Sequence, residues 1–188
     1  MFHVRLAWMA VGCLLFGGCM APRQTALDLN GSPVNVFVAS PASVTVLLFI
    51  SNDCPIANRY APEFRRLHDR FASRGVSFWL VHADPAENPA DIREHARQYQ
   101  LELPEIRDPQ HHLTKLAKAE VTPSAAVFSP GMTLVYRGRI DDRFVELGRE
   151  RPAATRHDLA EAIEAVLDHK PVLVSATKAV GCYIPSGL

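Results

Sequence analysis

The stretch Val44-Thr45-Val46-Leu47-Leu48-Phe49-Ile50-Ser51-Asn52-Asp53-Cys54-Pro55-Ile56-Ala57-Asn58-Arg59-Tyr60-Ala61-Pro62 decides the fold. Val44–Ile50 is an almost unbroken apolar run, which fits a β-strand buried on both faces. Cys54-Pro55 follows closely. Ile56, Tyr60, Phe64, Leu67 and Phe71 then recur every three or four residues, the spacing of one helix face. Val76–His82 is a second apolar strand. Upstream, Ala26–Leu29 and Val34–Val38 flank Asn30-Gly31, a hairpin turn signal. Downstream, Asn88-Pro89 places a cap and a first-turn proline ahead of a helix that runs to Gln100. Asp108-Pro109 repeats that signal before a short helix carrying Leu113 and Leu116. Ala125–Phe128 and Thr133–Arg137 read as a hairpin about Ser129-Pro130-Gly131. Thr155-x-x-Asp158 has capping-box spacing. Leu159, Ala162, Ile163, Val166 and Leu167 mark a last amphipathic helix. Strands alternating with helices predict a three-layer α/β/α sandwich, with an N-terminal hairpin and an extra helix inserted at 88–100. Residues 169–188 are expected to form an irregular tail.

A chain of 188 residues is the size of one domain. With 48% apolar and 21% charged residues it is not a disordered chain. Twenty basic side chains balance twenty acidic ones, so the electrostatic footprint of a nucleic-acid binder is missing. Residues 1–19 hold no acid and one arginine, Arg5. From Leu6 to Gly18 they are apolar or small. That run is shorter than the ~20 residues a bilayer span needs, but it matches the core of a secretory signal. Its end, Leu15-Phe16-Gly17-Gly18-Cys19, is similar to a bacterial lipobox, although Phe16 is larger than that pattern prefers. The similarity implies lipid on Cys19, a membrane anchor, a tether over 20–25 and a place in the cell envelope or periplasm. Of four cysteines, a folded domain would then keep Cys54 and, in its tail, Cys182. A disulfide between them could persist in that compartment.

Cys54 stands where a strand hands over to a helix. There it faces unpaired backbone N–H groups and the positive end of the helix dipole, both of which favour the thiolate. A thiolate attacks disulfides or peroxides. Asp53 opposes ionisation, and Arg59 helps if it folds back. At these residues the chain resembles the thioredoxin superfamily. Cys54 to Pro62 sits where thioredoxins carry their active-site cysteine, and Pro62 matches the proline inside their first helix. Val121-Thr122-Pro123, ahead of Ala125–Phe128, resembles the loop whose cis-proline lies against the active-site sulfur. Gly138 and the last helix fit the family's end. The resemblance spans 26–168 and is of the membrane-tethered periplasmic redoxin type, with an AhpC/TSA-like domain. It implies a thiol-disulfide oxidoreductase with Cys54 as nucleophile. Pro55, Thr122 and Pro123 would line the substrate groove, and the partner would be a protein or small-molecule thiol or disulfide. No cofactor is implied, since no glycine-rich phosphate loop or metal cluster is visible.

The pattern also departs from thioredoxin. Cys54-Pro55-Ile56-Ala57 lacks the second cysteine of C-x-x-C. Leu47 and Leu48 stand where thioredoxins keep a buried acid, which leaves proton relay to Glu63 or water. The remaining thiol is Cys182. Twelve residues separate it from Lys170, which reach about 40 Å when extended, and a domain of this size is roughly 40 Å across. Cys182 is therefore expected to resolve Cys54, within a chain or across a dimer. The alternative is an inert tail thiol.

Two other functions stay open. Peroxiredoxins place a hydroxyl three residues before the cysteine, where Ser51 could orient a peroxide. However, Leu47 replaces their proline, and the Val121-Thr122-Pro123 stretch has no arginine. A redox-inactive module binding through the Pro123 groove is also compatible. Copper or zinc binding would need two closely spaced cysteines. His111 and His112 are adjacent, so on a helix they point about 100° apart. His82 and His157 read as surface or packing residues. Asp141-Asp142 read as solvent-facing loop acids. Trp79 and Tyr136 read as sheet aromatics, and Lys115, Lys118 and Glu120 as a solvated helix end.

Overall fold

In a computed structural model the chain is described over residues 26–38 and 44–185. The leader, the tether and Cys19 lie outside the described residues. The elements in order are β1 (Ala26–Leu27), β2 (Pro33–Val34), β3 (Val44–Ile50), α1 (Pro55–Phe71), β4 (Val76–His82), α2 (Pro89–Tyr99), β5 (Glu105–Arg107) and α3 (His112–Ala117). They continue with β6 (Val121–Thr122), β7 (Ser124–Ser129), β8 (Thr133–Gly138), β9 (Phe144–Glu146), β10 (Arg149–Glu150), α4 (Asp158–Leu167) and β11 (Cys182–Tyr183). Seven strands form one sheet in the order β2-β1-β5-β4-β3-β7-β8. β3 runs parallel to β4 and antiparallel to β7, which places it at the centre. No helix among the described residues is long and apolar enough to cross a membrane.

The apolar run 44–50 is explained by the layers on either side of it. Val46, Leu48 and Ile50 point into a core shared with Phe64, Leu67 and Phe71 of α1 and Leu159 and Ile163 of α4. Leu47 and Phe49 point the other way, against Leu113 and Ala117 of α3 and Phe37 and Phe128. Alternate residues of a strand face opposite sides, so a central strand between two helical layers has no polar position to fill. The result is the expected three-layer α/β/α sandwich, with α2 as the inserted helix. α2 begins as its sequence implies, since Asn88 Oδ1 accepts from the Ala90 and Asp91 amides at 3.0 Å each.

Several expectations are corrected. The N-terminal hairpin pairs only Ala26 with Val34 and Leu27 with Pro33. The capping box at Thr155 does not form. α4 starts at Asp158, with His157 before it, and Thr155 donates its hydroxyl to Asp142 Oδ2 at 2.6 Å instead. Asp141 and Asp142 are each 5% exposed rather than solvated. Asp142 also accepts the Thr155 and Arg156 amides, while Asp141 accepts from the Tyr60 hydroxyl and the Arg143 amide. A loop acid goes inside when it closes a turn by gathering backbone N–H groups. The tail is ordered as well. Arg137 N donates to Ser175 O and Thr177 N to Arg137 O, both at 3.0 Å, so the tail is pinned to the edge strand β8. It then adds β11 antiparallel to β6.

Candidate active site

Helix α1 places Cys54 at its N-cap, with Pro55 in the first turn. Proline is tolerated there because its missing N–H would lack a helical partner anyway. From the start of the neighbouring strand β7, β6 brings Thr122 alongside. The Cys54 thiol donates to the Thr122 carbonyl at 3.0 Å, and the Thr122–Pro123 bond is cis. The tail adds the third part, because β11 sets Cys182 directly opposite Thr122 and Tyr183 opposite Val121. Cys54, Thr122, Pro123 and Cys182, far apart in sequence, thus share one place. Cys54 itself is 1% exposed, whereas Cys182 is an exposed residue, and both are free thiols.

The two sulfurs are set apart in acidity. Burial works against ionisation of Cys54. Donors outweigh it, namely the Ala57 amide of the first helical turn, the Cys182 thiol and amide, and the Thr122 side chain. Together they hold the Cys54 pKa below that of an ordinary thiol. The Cys182 thiol is pushed up to about 11, by burial of its sulfur and by the anion of Cys54 that it hydrogen-bonds. Of the two thiols, Cys54 is therefore the easier to ionise. Arg59 does not fold back on Cys54; it pairs with Glu150 at 2.5 Å.

A second group of residues steadies the approach to Cys54. Ser51 Oγ donates to Glu87 Oε1 at 2.9 Å, and the Asn52 amide donates to the same oxygen at 2.6 Å. The other Glu87 oxygen lies 2.8 Å from Nδ1 of His82, which is fully buried at the end of β4. Burial alone would discharge His82, but Glu105 and Glu87 outweigh it and raise its pKa above the usual imidazole value. Glu87 is held below the usual carboxylate range, since His82, the Asn52 amide and Ser51 overcome its burial. His95 reaches the same loop through Asn58, which donates to Asn52 O at 3.0 Å. The Ser51 hydroxyl, the peroxide-orienting candidate of the alternative reading, thus gives its donor to Glu87. Sequence reading missed Glu87, and it took His82 for a surface or packing residue.

Glu63 carries a bidentate contact to Arg66, with oxygens at 2.5 and 2.7 Å. It also lies with Asp141 and His157 so that one ligand atom of each falls within 4.8 Å of the others. Asp141 is already taken by Tyr60 and the Arg143 amide, and Glu63 by Arg66, so these groups close a surface corner rather than leave a vacant ligand set.

Residues 18–137, well over half of the chain, match the profile of the AhpC/TSA family. The chain belongs to the AhpC/TSA family. No curated protein matches it. Among solved structures, this AhpC/TSA member is similar to an uncharacterized conserved protein from Geobacillus kaustophilus, at 25% identity and a TM-score of 0.75. That match covers 86% of this chain and 87% of the other. It is also similar to a hypothetical protein from Sinorhizobium meliloti 1021, at 23% identity and a TM-score of 0.72, covering 85% and 88%. A third likeness is to a secreted Mycobacterium tuberculosis disulfide oxidoreductase homologous to E. coli DsbE. Identity is 18%, the TM-score is 0.54, and coverage is 77% of this chain and 99% of the other. The fold of this family member is therefore the thioredoxin-like redoxin fold.

Proposed function

We propose that this AhpC/TSA member is an exported thiol-disulfide oxidoreductase that works through Cys54 and Cys182. The observation that carries the reading is the pairing of β11 with β6, which sets Cys182 opposite Thr122, the residue whose carbonyl accepts from the Cys54 thiol. In one direction the Cys54 thiolate attacks a substrate disulfide. A Cys54–substrate disulfide forms, and the substrate's other sulfur leaves as a thiolate. Cys182, losing its proton to water or to that departing thiolate, then attacks the Cys54 sulfur. The products are a Cys54–Cys182 disulfide and a reduced substrate. The reverse sequence oxidises a dithiol. Cys54 is the better leaving group of the pair because its thiolate is the more stable. The solved relative described as a disulfide oxidoreductase supports this class of partner. Pro55, Thr122 and Pro123 are proposed to line the groove, with 26–168 as the thioredoxin-like domain and the following residues as a tail laid against it.

Residues 1–19 are proposed as the export signal, 20–25 as a tether and Cys19 as the site of lipid attachment to a membrane. The mass of the mature N-terminal peptide, compared with a Cys19→Ala chain, tests that assignment.

The test of the activity is to treat the reduced protein with glutathione disulfide, then count thiols and map unreduced peptides. A peptide pair joined through Cys54 and Cys182 is expected, whereas both thiols remaining free would sink the proposal. Consumption of hydrogen peroxide by Cys54 far faster than by free cysteine would favour a peroxidase instead. An unchanged phenotype in a Cys54→Ser strain would favour a binding module.

A further inference from the structure

The tail does more than deliver a sulfur. Its path is that of a guest strand. It is tied down at Thr177, whose hydroxyl meets the Tyr136 hydroxyl at 2.7 Å and accepts the Arg139 amide at 3.0 Å. It then runs past an open groove of about 970 Å³ bounded by β6, the β9–β10 hairpin and the tail itself. Finally it lies along β6, where the Ile184 amide donates to Glu120 O at 3.0 Å. Beyond Thr177 its side-chain contacts are few: Val180 packs against the α1 side of the core and Ile184 against the other side, both only partly buried, while Tyr183 is 84% exposed. Backbone pairing with β6 and these two apolar contacts hold it.

The fit at Gly181 is decisive. A Cβ there would come within 1.9 Å of the Thr122 carbonyl oxygen and 2.6 Å of its carbon. Both are backbone atoms of the loop that fixes Cys54, so neither can swing away as a side-chain tip would. Only glycine allows a strand to run at this depth with a cysteine in the following position.

We infer that residues 178–184 are a resident stand-in for the substrate, and that the substrate is an extended protein segment in which glycine immediately precedes the reacting cysteine. This rests on the thiol-disulfide reading and adds a substrate class to it. Tail and substrate compete for one strand edge, so Cys54 stays covered until the tail lifts. The tail's return supplies Cys182 and displaces the substrate strand from Thr122. Resolution of the mixed disulfide and release of the product are then one event.

The test uses the full chain with Cys13, Cys19 and Cys182 changed to serine, so that Cys54 is the sole thiol. It is offered a synthetic peptide of residues 178–185 whose cysteine carries a chromogenic aromatic thiol in disulfide linkage. Cys54 attacks the peptide sulfur and the coloured thiolate leaves. The same peptide with Gly181→Ala is expected to react about tenfold more slowly, since forcing a methyl group into filled space costs of that order. Free cysteine should attack both peptides equally. In a second chain that also carries Gly181→Val, the tail cannot seat, and alkylation of Cys54 by iodoacetamide should quicken about tenfold or more for the same reason. Equal peptide rates, or unchanged alkylation in the Gly181→Val chain, overturn the inference. Attack on glutathione disulfide without attack on either peptide overturns it while leaving the thiol-disulfide reading intact. Failure to attack any disulfide defeats both.

Discussion

At the scale of single residues, the site separates two chemically identical thiols by giving one of them the donors. Cys54 receives the Ala57 amide and the Cys182 thiol, whereas Cys182 faces only the anion it helps to stabilise. Replacing Cys182 by alanine keeps β11 short and seated but removes one donor from Cys54. The midpoint pH of Cys54 alkylation should rise in Cys182→Ala relative to the parent, read from the midpoint because the plateau also reports access. A midpoint that stays put would show that the Cys182 thiol contributes nothing to the acidity of Cys54. Glu87 gives a second residue-scale prediction. His82 is raised, so its contribution is full below the usual imidazole pKa and is lost as pH climbs through its folded value. Glu87 is lowered, so its contribution is present above the usual carboxylate pKa and lost as pH falls through its folded value. Between those limits Glu87→Gln removes a buried charge partner while keeping an acceptor for Ser51 and Asn52. With Glu105 still beside His82, the cost should be about 2 kcal/mol, less than for a pair with no second partner. Urea melts across pH should show the gap closing on the alkaline side. A gap independent of pH would mean that the ion pair is not what holds the loop.

At the scale of elements, long regular patterns were legible and short pairings were not. β3 and β4 end where their apolar runs end, and α1 buries the residues its spacing singles out. β6 and β11 are two residues each, and a two-residue strand has no period to detect. β5 offers one apolar residue between two charged ones. Glu87 follows Asp84-Pro85-Ala86 and looks like any loop acid. Its role exists only because the loop folds back on Ser51, 36 residues earlier. The tail did carry one readable sign, a glycine directly before its only cysteine. Gly138 carries a matching one, since a Cβ there would meet Thr177 Oγ1 at 2.2 Å, so the anchor needs a bare backbone beneath it. The anchor's side chain can be tested without disturbing the core. Thr177→Val removes the hydrogen bonds to Tyr136 and Arg139, at a cost of about 1 kcal/mol. Cys54 should then be alkylated faster, with near-native global stability by urea melt. Unchanged reactivity would place the holding interaction elsewhere along the tail.

At the scale of the whole molecule, the two thiols sit near opposite ends of the folded unit. A Cys54–Cys182 disulfide would therefore close a loop containing α1 to α4 and β4 to β10. In the chain-entropy account, a cross-link stabilises by shrinking the unfolded ensemble, and the gain grows with the logarithm of the loop. A loop this long should add about 5 kcal/mol to the oxidised form. The native cost should be small, because β11 already sets Cys182 opposite Thr122, whose carbonyl contacts the Cys54 thiol, when both thiols are free. The same bond would pin the tail over the groove, so oxidation should both stabilise the fold and shut the site. Urea unfolding of the oxidised and reduced protein, with thiols counted before and after, measures the difference, and Cys182→Ser should abolish it. If the oxidised protein has no free Cys54 or Cys182 and yet unfolds at the same urea concentration as the reduced form, the cross-link joins different chains. The intramolecular reading of the pair would then give way to a dimer linked tail to site.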